Sequence, residues 1–86
     1  MRHARPEDLD RIDALLARLR PLPGLAERKR GTFYVKSKAF LHFHEDPAGM
    51  FADIKRPDWK DFDRLKVDTP AEQDALVERA QAVRGE

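Results

Sequence analysis

The sequence predicts an α+β domain, an antiparallel sheet of about four strands with an N-terminal and a C-terminal helix packed on one face. Three observations predict it. Apolar residues recur at helical spacing from Pro6 to Arg20, they alternate with polar ones through Gly31 to Lys55 and again through Phe62 to Val67, and a helix-capping pattern opens at Thr69. The chain has 86 residues, enough for one domain spanning 1–86 with one modest core.

The first helix, PEDLDRIDALLARLR, carries Leu9, Ile12, Leu16 and Leu19 on one stripe with Leu15 beside them. Pro6 suits its first position, Glu7 and Asp8 its positive end, and Arg18 and Arg20 its negative end. Pro21 and Pro23 stop it, and Leu22-Pro23-Gly24-Leu25 reads as a turn. Glu27-Arg28-Lys29-Arg30 then reads as a solvated basic loop before the sheet.

Register follows from which side chains must share a face, because a slip of one residue inverts them all. A three-residue loop, Lys36-Ser37-Lys38, pairs Val35 with Ala39 and Phe33 with Leu41. A four-residue turn, Asp46-Pro47-Ala48-Gly49, pairs Phe43 with Ala52 and Leu41 with Ile54, and its Asp, Pro and Gly are residues that turns select. The core face then holds Phe33, Val35, Ala39, Leu41, Phe43, Met50, Ala52 and Ile54. Pro57 interrupts the pattern, and Trp59 is expected to plug the edge of the core. In the fourth strand Leu65 and Val67 point inward, Arg64 and Lys66 outward. Thr69-Pro70-Ala71-Glu72 is a capping box, and the helix it starts buries Leu76, Ala80 and Val83 and ends at Gly85.

Composition excludes several classes of function. Seventeen Lys and Arg against sixteen Asp and Glu leave a charge near +1, so nucleic-acid affinity must come from the arrangement of charge and not its excess. The absence of cysteine removes disulfides, thiolate metal sites and a cysteine nucleophile, and Ser37 lies in a hairpin tip without a positioned base. No catalytic set emerges, and there is no glycine-rich phosphate loop. With no apolar run near the ~20 residues needed to span a bilayer, and no signal pattern at Met1-Arg2-His3, the expectation is a cytoplasmic protein without a membrane partner.

Leu22-Pro23-Gly24-Leu25, a charged link, then Gly31-Thr32-Phe33-x-Val35-x-x-Lys38-Ala39-Phe40 resembles the opening of the MmcQ/YjbR-like proteins. The resemblance covers Leu9 to Phe43, with the remainder matching in element order. It implies a frataxin-like α+β sandwich and DNA binding, and it transfers no catalytic residues.

If both helices cover the Phe33 face, the other face lies open and presents Thr32, Tyr34, Phe40, His42, His44, Phe51, Asp53 and Lys55. Tyr34 is expected opposite Phe40, His42 opposite Asp53, and His44 opposite Phe51. Three uses compete for this face. An exposed patch with three aromatics suits a homodimer or protein partner, the reading placed first. A nucleic-acid platform would stack bases on Tyr34, Phe40 and Phe51. Its phosphate contacts would come from Arg28, Lys29, Arg30, Lys36, Lys38, Lys55, Arg56, Arg64 and Lys66, with Asp53 and Asp63 opposing. A divalent metal, the one cofactor the pattern suggests, would take His42, His44 and Asp53 as ligands, because imidazoles two residues apart on a strand lean onto one ion. Asp53 is expected to favour the charged form of His42, and His3 falls at a disordered chain start.

Overall fold

The structure is a computed structural model that describes the backbone of residues 2–84 and the side chains of residues 2–82. Its elements in chain order are β1 (Arg2–His3), α1 (Pro6–Asp10), α2 (Asp13–Leu19), β2 (Ala26–Lys29), β3 (Thr32–Val35), β4 (Lys38–Asp46), β5 (Gly49–Lys55), β6 (Phe62–Lys66) and α3 (Pro70–Arg84). The α+β class and the antiparallel sheet agree with the sequence. The sheet has six strands, not four, in the order β2-β3-β4-β5-β6, with β1 beside β4.

The two additional strands are short and charged, so apolar alternation does not reveal them. The basic segment expected as a loop is β2, which pairs Ala26 with Tyr34 and Glu27 with Phe33 at the sheet edge. Charged side chains suit that position because they discourage further strand pairing. The chain start expected to be disordered is β1, which pairs Arg2 with Glu45 and His3 with His44. β5 occupies one edge of β4. On the other edge β3 takes residues 38–41, and β1 continues that edge past the end of β3.

The β4–β5 hairpin has the expected register: Leu41 lies across from Ile54, His42 from Asp53, Phe43 from Ala52 and His44 from Phe51. Asp46 Oδ2 accepts the Ala48 N–H at 2.9 Å, the local bond for which aspartate is chosen in turns. Gly49, at φ +136°, adopts a conformation that other residues rarely reach.

The β3–β4 hairpin corrects the sequence reading. Its loop is the two-residue Lys36–Ser37, with both φ angles positive (50° and 72°), as the twist of a tight hairpin demands. Val35 therefore pairs with Lys38 and Tyr34 with Ala39, while Phe33 still pairs with Leu41. The register closes only because Phe40 is an extra residue in β4, a bulge between these pairs.

The core forms between the sheet and the helices. Leu9, Leu15, Leu16 and Leu19 from the N-terminal helices, Ile12 from the break between them, and Leu76, Val77 and Ala80 from α3 bury against Phe33, Leu41, Phe43, Met50, Ala52, Ile54 and Val67. The continuous helix expected from Pro6 to Arg20 is broken at Arg11–Ile12, although every predicted leucine of its stripe is buried. Thr69 and Glu72 form the reciprocal capping box: Thr69 Oγ1 accepts from the Glu72 N–H at 3.1 Å and Glu72 Oε1 from the Thr69 N–H at 3.0 Å. Trp59 is half-buried with its ring 5.7 Å from that of Phe40, as expected of a plug. The predicted burial of Val83 and the helix end at Gly85 lie outside the described residues. Among the described residues no helix is long and apolar enough to cross a membrane.

Candidate metal centre

Alternation along β4 sets His42 and His44 on the face away from Leu41 and Phe43, and the β5 register brings Asp53 directly across from His42. β6 adds Arg64 opposite Asp53. Its guanidinium grips the carboxylate with both prongs, Nε donating to Oδ1 at 2.8 Å and a terminal NH2 to Oδ2 at 2.9 Å. Two imidazoles approach the same oxygen: Nε2 of His44 is 3.0 Å and Nε2 of His42 is 3.5 Å from Asp53 Oδ2. One ligand atom from each of His42, His44 and Asp53 falls within 4.8 Å of the others.

The hydrogen bonding of this cluster does not close. Oδ2 already accepts from Arg64, which leaves one lone pair for two imidazole nitrogens. Nε2 of His44 is shut off from solvent and makes no hydrogen bond, because the nearby carboxylate oxygen lies outside hydrogen-bonding alignment. A buried polar atom without a partner costs about 1–3 kcal/mol.

Burial holds the His42 pKa below its ordinary value, against the pull of Asp53 in the other direction, and the nearby His44, His3 and Arg64 add to the lowering. Asp53 favours the charged form of His42 as expected, but burial outweighs it. Desolvation works to raise the Asp53 pKa, but the Arg64 hydrogen bonds and the neighbouring histidines outweigh it and the carboxyl stays acidic. Neutral imidazole and ionised carboxylate are the forms that bind metals.

Other predicted members of the face are placed differently. Phe40 is fully buried in the core, so it offers nothing to a partner or a base, and its expected pairing with Tyr34 does not form. Tyr34 and Phe51 are half-buried; the Arg28 guanidinium lies 5.3 Å from the centre of the Tyr34 ring. Lys55 sits 4.5 Å from the centre of the Phe62 ring and donates to the Trp59 carbonyl at 3.4 Å. Several of the cations proposed for phosphate are held in ion pairs. Arg30 pairs with Asp10 and Asp13, Arg64 with Asp53 and Arg56 with Asp63, while Lys36 and Lys38 are exposed at the β3–β4 turn and Lys29 is exposed at the end of β2.

Sequence reasoning missed three neighbours of the centre. Arg64 points outward as expected, and extending the strand register by one hairpin sets it against Asp53. Phe62 packs edge-on to His42 with ring centres 5.0 Å apart. His3 stands over the pair, its ring 4.8 Å from that of His44 and 6.0 Å from that of His42. A groove of about 350 Å³ runs past His3 and His42 towards Lys29, Thr32 and Tyr34. No family model, curated protein or solved structure matches the chain.

Proposed function

We propose that the protein binds a divalent transition metal through His42, His44 and Asp53. The observation that carries this reading is the unsatisfied Nε2 of His44, buried beside a second imidazole and an ionised carboxylate. Ligands bound at 2.0–2.1 Å to a tetrahedral ion lie about 3.3 Å from one another, close to the 3.0 and 3.5 Å that separate the two imidazoles from Asp53 Oδ2. Histidine with carboxylate suits zinc and similar ions better than magnesium or calcium, which prefer oxygen. Arg64 acts as an outer partner that aims the carboxylate. Its positive charge opposes a cation, but the side chain is half exposed and water screens it.

The self-association and nucleic-acid readings relied on three exposed aromatics, and the burial of Phe40 removes one of them. The MmcQ/YjbR-like resemblance adds no residue to the metal reading.

Calorimetric titration of the purified protein with zinc tests the proposal. The expected result is one site per chain, with His42→Gln and His44→Gln each losing more than the roughly 10–100-fold that outer-shell changes cost. Equal affinity in both variants and the unaltered protein would reject these ligands.

A further inference from the structure

We propose that His3 is a fourth ligand of this centre, so that the N-terminal strand closes the site and the ion staples that strand to the sheet. The inference rests on the metal reading above and adds to it the coordination number and the element that completes it.

The rings of His3, His42 and His44 lie together on one face of the sheet. With nitrogen 2.0–2.1 Å from a tetrahedral ion, each ring centre lies about 3.2 Å from the ion, and ring centres stand about 5 Å apart. His42 and His44 are 4.9 Å apart, His3 and His44 are 4.8 Å apart, and His3 and His42 are 6.0 Å apart. Two of the three spacings match and the third is wider by about 1 Å, which a change in one χ angle of an exposed side chain would close.

Backbone pairing fixes their shared placement. His3 is the residue directly opposite His44, so both side chains leave the sheet on the same face. The pairing is held on both sides of His3. The Ala4 N–H donates to the Phe43 carbonyl at 3.2 Å, and the Arg2 guanidinium bonds Asp8 at 2.8 Å and reaches Glu45 at 3.2 Å. Three nitrogens and one carboxylate oxygen fill a tetrahedron, the closed arrangement of a structural metal site, whereas His42, His44 and Asp53 alone would leave one position for water or substrate.

Two measurements test this. The first is titration with cobalt(II), whose visible absorption reports coordination, on the unaltered protein, His3→Gln and His44→Gln. The expected outcome is an intense tetrahedral spectrum for the unaltered protein, insensitive to azide. His3→Gln should bind at least about tenfold more weakly and respond to azide at the opened position, and His44→Gln should fail to bind. Identical affinity and spectrum in His3→Gln and the unaltered protein would overturn the role of His3 while leaving the other three ligands standing. Failure of the unaltered protein to bind cobalt or zinc would overturn both proposals. The second needs no variant: in protein loaded with cadmium-113, scalar coupling to three imidazoles is expected, and coupling to two only would exclude His3.

Discussion

Phe40 shows how much depends on one residue. Its position in an alternating strand assigns it to the open face, yet the bulge in β4 turns it into the core beside Trp59. Truncating a fully buried phenylalanine removes apolar contact and leaves a cavity, so Phe40→Ala should cost about 3–5 kcal/mol in denaturant unfolding. A residue on an open face would lose well under half of that. The bulge was hidden because a three-residue loop without it and a two-residue loop with it both keep Phe33 opposite Leu41. Local conformation separates them: Lys36 and Ser37 both sit at positive φ, which costs L-residues about 1–2 kcal/mol. Ser37→Gly relieves this strain at some expense in unfolded-chain entropy and should raise stability by up to about 1 kcal/mol. At Gly49 the opposite holds. An added Cβ would collide with the Asp68 carboxylate, whose Oδ1 accepts the Met50 N–H at 2.9 Å, so Gly49→Ala should lower the unfolding midpoint.

The elements best read from the sequence are those in which periodicity, caps and turn residues agree. The β4–β5 hairpin and the start of α3 are of this kind, and the hairpin carries His42, His44 and Asp53 in the register expected of them. β1 and β2 escaped notice because two or four residues show no usable alternation and their side chains are mostly charged. Glu27 explains why β2 forms nonetheless. Its carboxylate pairs with Arg20 and accepts the Gly31 N–H at 2.9 Å, tying the edge strand to the end of α2 and to its own turn. Burial alone would raise the Glu27 pKa, but the Arg20 ion pair and the Gly31 hydrogen bond prevail and lower it below 4.5. A group whose folded pKa is depressed stabilises the fold above its unfolded value and loses that contribution as pH falls through the folded one. Unfolding free energy followed from pH 7 to pH 3 should therefore show Glu27→Gln weaker than the unaltered protein near neutrality, with the gap shrinking below about pH 4.5. A gap that stays constant to pH 3 would assign the loss to packing.

Across the whole molecule, one sheet separates two tasks. The helix-covered face builds the core. The other face gathers histidines from the N-terminal strand and the long central strand around a carboxylate from β5, held in place by an arginine from β6. The sequence made the β4 and β5 members legible through the hairpin register, but it could not show that β1 folds back beside β4, since that depends on β3 ending early along the shared edge. A ligand that binds only the folded protein stabilises it by about 2.7 kcal/mol at a hundred times its dissociation constant. Zinc at that excess should raise the unfolding midpoint of the unaltered protein and leave that of His44→Gln unchanged. The most direct test is an NMR titration of the imidazole resonances with zinc. The ring signals of His42 and His44 should shift together and saturate at one ion per chain, whereas resonances that stay in place under excess zinc would contradict metal binding at this centre.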